Sequence, residues 1–412
     1  GGAASHPRAE VVPADQSPPI YIAMVDETGD PAAVEAASLA LEAMLPTLPA
    51  EARFGLVTFS HRLGIFDLSN HQEGVPHVVH AALGSIHMPN AAEELKGGLP
   101  WFELDERLAL SDIVELDELT TPLHPDTGLQ AALAAVRSLG DESARYAAER
   151  EVPAQCFGVA VAKLLELLSA PQSGCLPPQD GSSTTPLQRI APAGIRVLCF
   201  LSSPVNFGDG AVTTPPPKSS SSAPDPGPAS AFSSIHRSLR YAVPSKLSSR
   251  GQETRGFYRE LGERAVACGV SFELVSLASR PDLQLGLPLL EPLPTLSGGS
   301  AQRYELWTAG KATNERLAQD LVNLAQRPVA FRCALRLRCS PEFQSSPEEI
   351  YGNCLVDNDQ VAHLAACDPS QSLAFGFEFN ASSGNSSELP PVVQMAFAYT
   401  TLMDEVEEPL KA

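Results

Sequence analysis

The feature that most constrains this chain is a set of short, largely apolar runs set among segments of helical period. Ile20–Val25, Arg53–Phe59 (RFGLVTF), Ile195–Leu201 (IRVLCFL) and Val270–Leu277 each have the length of a strand but not the alternation of a half-exposed one. Such runs suit strands covered on both faces, a condition met by a parallel sheet with helices on either side. Pro31–Leu45 repeats apolar residues at Val34, Ala37, Leu41, Met44 and Leu45 behind a proline in the first turn, which predicts an amphipathic helix. Asp126–Leu139, Gln155–Leu168, Gly256–Cys268 and Thr313–Ala325 carry the same period, the last with Thr313 as its expected N-cap. With Leu63–Leu68 as a further strand, the order predicts an α/β fold with an open, doubly wound sheet.

After Arg327-Pro328 the period changes to two. Phe331, Cys333, Leu335 and Leu337 alternate with Arg332, Arg336 and Arg338. Leu373, Phe375, Phe377 and Phe379 form a second apolar row, and Met395, Phe397 and Tyr399 a third. Half-exposed strands of this kind predict a small antiparallel β-sandwich. The expected organisation is a flexible arm over 1–19, the α/β part over 20–326, the sandwich over 327–403 and an acidic tail over 404–412. Low-complexity stretches near 171–188 and 213–230, the second containing PPPKSSSSAPDPGP, are expected as disordered surface insertions.

Charge excludes some partners. With 28 basic and 49 acidic residues the net charge is −21, which opposes loading onto a nucleic acid or an anionic membrane through the global field. Membrane contact therefore requires a local patch, because no apolar run reaches the 18 or so residues of a membrane span. The segment Glu93–Glu118 holds nine acidic residues against Lys96 and Arg107 and reads as a solvated connector or a dock for a basic segment. The eight cysteines form no CxxC pair, so a reducing compartment is expected.

Signatures of catalysis are missing: the chain has no GxSxG, HExxH or GxGxxG motif. Gly310-Lys311 lacks the upstream glycine and following hydroxyl of a phosphate loop, since Glu305 and Ala312 stand there. His71, His77, His80 and His87 share one segment without further ligands to complete a zinc shell. Asp26, Thr28 and Asp30 end the first strand, where open α/β sheets place ligands, and resemble the Asp-x-Ser-x-Ser metal loop of von Willebrand factor A domains. Asp30 in place of the second hydroxyl favours a turn and helix entry, so no catalytic, cofactor or metal residue is assigned.

Longer stretches carry a wider resemblance. PPIYIAMVDETGD (Pro18–Asp30), LPAEARFGLVTFSHRLGIFDL (Leu48–Leu68), the Cys156–Leu168 helix, RVLCFLSSPVNFGDGAV (Arg196–Val212), FYRELGERAVACGVSFELVSLAS (Phe257–Ser279) and LSGGSAQRYE (Leu296–Glu305) follow one another in order. They resemble the inner-coat subunits of coat protein complex II (COPII), and the GTPase-activating subunit more than its cargo-adaptor paralogue. The resemblance runs from about Pro18 to Thr401. It implies a von Willebrand factor A-like trunk followed by a β-sandwich, and a non-enzymatic scaffold that pairs with a paralogous trunk subunit in a membrane-associated protein-transport assembly. The zinc ribbon, the helical domain with its arginine finger and the gelsolin-like domain of the family have no counterpart in the matched stretches, so GTPase activation is not expected. The expected location is the cytosolic face of an intracellular membrane, at endoplasmic-reticulum exit sites, by peripheral contact.

Two alternatives stand beside this reading. One is a trunk-only paralogue in a chloroplast-envelope protein-import complex, at the outer envelope, which the excess of Arg over Lys favours. The other is a metal-dependent adhesion module using the Asp26 loop. For the scaffold, Arg332, Arg336 and Arg338 are the candidate contact for an acidic partner or lipid headgroups.

Overall fold

The computed structural model describes residues 18–68, 77–83, 102–104, 110, 114–125, 127–141, 143–144, 154–169, 194–212, 249–281, 283–309, 311–340, 343–344, 349–379 and 392–401. The arm up to residue 17, the insertions near 171–188 and 213–230, His71, His87, much of Glu93–Glu118 and the tail over 404–412 lie outside these residues.

Strands β1 (Ile20–Asp26), β2 (Arg53–Phe59), β3 (Arg62–Asp67), β4 (His77–Leu83), β5 (Phe102–Leu104), β6 (Thr120–Pro122), β7 (Ile195–Leu201), β8 (Val270–Ala278) and β9 (Ala301–Glu305) form one sheet. Its order is β5-β4-β3-β2-β1-β7-β8-β9, with β6 paired to β2. From β2 through β1, β7 and β8 to β9 the strands are parallel, and β3 turns back antiparallel on β2. The chain leaves β1 toward both sides of the sheet, which puts a topological switch point at the carboxyl ends of β1 and β7.

Both faces are covered, as the largely apolar runs require. Ile20, Ile22 and Met24 face one core with Val197, Cys199, Phe272 and Leu274. Helices α4 (Phe157–Ser169) and α5 (Ser249–Cys268) close that side. Tyr21, Ala23 and Val25 face the other core with Leu198 and Phe200, under α1 (Pro31–Met44), α3 (Gly128–Arg137) and α6 (Lys311–Gln326). In α1 the buried face includes Ala33, Ala36, Ala37 and Ala40, side chains short enough to let the helix lie close on the sheet. Asp30 sets its start: Oδ1 accepts the Ala32 amide at 3.0 Å and Pro31 opens the first turn.

The remaining strands are β10 (Ala330–Cys339), β11 (Phe343–Gln344), β12 (Ile350–Tyr351), β13 (Leu355–Val356), β14 (Val361–Cys367), β15 (Ala374–Phe375), β16 (Glu378–Phe379) and β17 (Val393–Thr400). They form an antiparallel sheet β13-β14-β10-β17 and the pairs β11-β16 and β12-β15. Cys333, Leu335, Cys354, Ala362 and Leu364 are its core, with Ile350, Val356, Leu373 and Phe375 packed on them.

Three expectations are corrected. Helix α6 begins at Lys311, so Thr313 lies inside it and its hydroxyl donates to the Glu305 carbonyl at 3.2 Å. The row Leu373–Phe379 is split, because the Gly376 amide turns to the Glu349 carbonyl at 2.7 Å and leaves Phe377 exposed. Strand β17 buries neither face: it is an edge strand, and nothing among the described residues layers over its aromatic row. Part of the acidic segment has local work, since Glu115 and Glu118 cap the short helix α2 (Leu116–Leu119) and Asp117 pairs with Arg53 at 3.0 Å.

The sandwich abuts the amino ends of the parallel strands. Phe331 is wholly buried against Gly194, just before β7, where a β-carbon would come within 2.0 Å of the ring. Gly298, with φ +81°, lets the Ala366 carbonyl approach the turn before β9. Two polar side chains complete the seam: the Asn353 amide donates to the Gly299 carbonyl at 2.8 Å, and the Gln371 amide donates to that of Gly298. Phe331→Ala is expected to lower the unfolding free energy by about 3–5 kcal/mol in chemical denaturation; a change under about 1 kcal/mol would show that the ring is not the plug of this seam.

Candidate functional site

At the switch point β1 ends on Asp26, whose side chain is buried. Its Oδ1 accepts the Thr28 amide at 2.9 Å and the Thr28 hydroxyl at 2.6 Å. Its Oδ2 accepts the amides of Ser202 and Ser203 at 3.0 and 2.8 Å, the Ser203 hydroxyl at 2.9 Å and the Gln155 side-chain amide at 3.4 Å. Six donors thus converge on one carboxylate and tie β1 to the segment after β7. A divalent ion does not fit this set: two backbone N–H groups point at the oxygen it would need, and Asp30 is engaged as the cap of α1. Beside it Glu27 is buried, accepts the Ser60 hydroxyl at 2.8 Å and lies 3.5 Å from Arg62 Nε. Burial holds its carboxyl above the usual range, against the pull of Arg62.

At the opposite end a second charged cluster joins the two parts of the chain. Arg196, in the apolar run of β7, is 1% exposed and lies 3.8 Å from Glu273 of β8 and 3.8 Å from Asp368, which follows β14. Its Nε, Nη1 and Nη2 make no hydrogen bond among the described residues, so charge alone holds it between the carboxylates. The other bonds of those acids fix the site: Glu273 Oε2 accepts the Ser300 amide and hydroxyl at 2.8 and 2.6 Å, and Asp368 Oδ1 accepts the Ser370 amide at 2.8 Å. Burial pushes Glu273 upward, partly offset by Arg196 and the Ser300 bonds. A cleft of about 310 Å³ opens at this seam, lined by Glu273, Ser300, Tyr304, Asp368 and Gln371 among others. Sequence reasoning passed over Arg196 and Glu273; the available signal was a single opposite charge inside each of two otherwise apolar strand runs, which burial tolerates only as a pair.

The three arginines singled out in β10 do not act as one row. Arg332 has φ +49° at an irregularity in the β10–β17 ladder, and its side chain lies against Gly269 in the turn before β8. Arg336 and Arg338 are exposed on one face of β10, opposite Ala396 and Gln394 of β17.

No family model matches the chain. The protein transport protein SEC23 D of Arabidopsis thaliana is 28% identical over 398 residues, covering 94% of this chain and 45% of its own length. Among solved structures the human COPII-coat protein Sec24c aligns with a TM-score of 0.58 at 18% identity, over 94% of this chain and 42% of that one. The chain is similar to SEC23 D in sequence and to Sec24c in fold. It spans about half the length of the curated relative it matches. A von Willebrand factor type A protein from Catenulispora acidiphila aligns at 9% identity over 94% of this chain and 63% of that one, with a TM-score of 0.42. The α/β sheet is joined to the sandwich through Arg196. No helix among the described residues is long and apolar enough to cross a membrane.

Two measurements check the Arg196 cluster. Arg196→Ala leaves buried Glu273 without its cation and Asp368 with only the part-exposed Arg327 at 3.7 Å, and is expected to cost about 3–5 kcal/mol of stability by denaturant titration; a loss below about 1 kcal/mol counts against the cluster. Because burial makes the folded state hold the Glu273 proton more tightly than the unfolded state, this group's contribution to stability falls as pH rises above the ordinary carboxyl value of 4.5. Glu273→Gln should therefore gain on the wild type as pH is raised from that value, and a difference independent of pH would contradict the assignment.

Proposed function

We propose that the chain is a non-enzymatic scaffold subunit of a membrane-associated protein-transport assembly resembling the COPII inner coat, serving vesicle transport from the endoplasmic reticulum to the Golgi. The observation that carries this reading is that the identity to a protein transport protein extends through 94% of the chain, trunk and sandwich together. The welded geometry supports it. A coat subunit must present partner surfaces at fixed distances, and a sandwich seated on the amino ends of the trunk strands through Phe331 and Arg196 provides that rigidity.

In this reading the trunk pairs with a paralogous trunk subunit, and attachment at the cytosolic face of exit sites is peripheral. Arg332, Arg336 and Arg338, all exposed, form the contact for an acidic partner, Arg332 at the end nearest the seam. A non-catalytic role agrees with the use of the buried polar groups: Asp26 is occupied by six donors, and Arg196 is enclosed by Glu273 and Asp368. The occupied Asp26 speaks against metal-dependent adhesion, and the chloroplast-envelope alternative has only the excess of Arg over Lys behind it, with no feature of the fold beside it.

A native pull-down read by mass spectrometry tests the proposal. Recovery of coat subunits is expected; recovery of envelope import proteins without them would overturn it. Reversing Arg336 and Arg338 to Glu should reduce that recovery severalfold while leaving the thermal midpoint within a few degrees, since both side chains are exposed. Undiminished recovery removes the two arginines from the interface.

A further inference from the structure

Edge strands in soluble proteins are usually protected from pairing by charges, prolines, bulges or a covering segment. Strand β17 has none of the first two: its sequence is VQMAFAYT, and among the described residues it pairs only with β10. Its free edge therefore offers an unbroken set of alternating N–H and C=O groups.

The two faces beside that edge differ in chemistry. On one, Val393, Met395, Phe397 and Tyr399 are 46, 65, 42 and 55% exposed, with the Phe397 and Tyr399 rings stacked at 5.0 Å. Phe397 and Met395 stand directly opposite Leu335 and Leu337, so this row continues the sandwich core past its cover. On the other face Arg336 and Arg338 neighbour Ala396 and Gln394, and neither arginine has an ion pair among the described residues. Ala396 and Ala398 are too short to stop a guanidinium from extending over β17 to the next strand position, roughly 5 Å further on.

We propose that the free edge of β17 takes an extended segment of a partner protein in which apolar and acidic residues alternate. The apolar residues extend the row of Val393, Met395, Phe397 and Tyr399, the acidic ones meet Arg336 and Arg338, and main-chain bonds along β17 supply register, as in strand addition generally. This deepens the contact assigned above to the two arginines and rests on it.

Charge and geometry select this occupant. A second copy paired about Ala396 would bring four arginines to one face without an acid between them. A lipid surface cannot take the apolar row and the arginines together, because they lie on opposite faces of the sheet.

The test uses the full chain and fluorescent ten-residue peptides read by anisotropy: one alternating Val or Phe with Glu, one with Lys for Glu, and one N-methylated at alternate positions. The acidic peptide is expected to bind, with affinity lowered on the order of tenfold by the Lys exchange or by Arg336→Glu with Arg338→Glu, and lost on N-methylation. Equal binding of the N-methylated peptide overturns strand addition while leaving the arginine contact intact. Equal binding of the Lys peptide overturns the arginine contact on which the inference rests. Failure of all three peptides at millimolar concentration overturns it as well. So does a dimer in sedimentation that Met395→Glu abolishes, which would make a second copy the occupant, or flotation on anionic vesicles that Phe397→Ser abolishes, which would make it lipid.

Discussion

A guanidinium buried among strands is tolerable only when opposite charges surround it, and in this chain those charges come from two separate parts. Arg196 belongs to β7, Glu273 to β8 and Asp368 to the sandwich. Taking any of them out of water is costly, and the loss is recovered only when all three are brought together. The cluster therefore couples the burial of β7 and β8 to the seating of the sandwich. Phe331 on Gly194 supplies the apolar half of the same joint. Remove this cation, and buried Glu273 loses its ion pair while Asp368 keeps only Arg327 at the surface of the junction.

The sheet's other end is closed by different means. Asp26 accepts six hydrogen bonds and locks the switch point, the place where α/β sheets most often carry ligands. With one end sealed by hydrogen bonds and the other covered by the sandwich, the chain offers its outer surfaces. The exposed aromatic row of β17 is the one large apolar feature that the fold itself leaves unused among the described residues.

The strands and helices of the α/β part were legible because burial on both faces produces largely apolar runs, as in IRVLCFL and RFGLVTF, and amphipathic helices keep their period. The change to alternation at Ala330–Cys339 likewise marked the strand that became β10. Less legible was whatever depends on who covers whom. Met395, Phe397 and Tyr399 have the pattern of a half-buried strand, yet lie at an edge with no layer above them among the described residues. Leu373–Phe379 has the same pattern but is broken where Gly376 turns to the Glu349 carbonyl. Arg332, Arg336 and Arg338 look equivalent in sequence, and only the positive φ of Arg332 separates it from the others. Short strands such as β5 and β6 carry too few residues to show any period.

The most direct test of the central claim, that trunk and sandwich form one body joined at Arg196, is differential scanning calorimetry of the full chain. The account predicts a single transition for both parts, with the van't Hoff and calorimetric enthalpies equal. Two separate transitions, the lower one lost when residues 327–412 are deleted and the upper one unmoved, would contradict it.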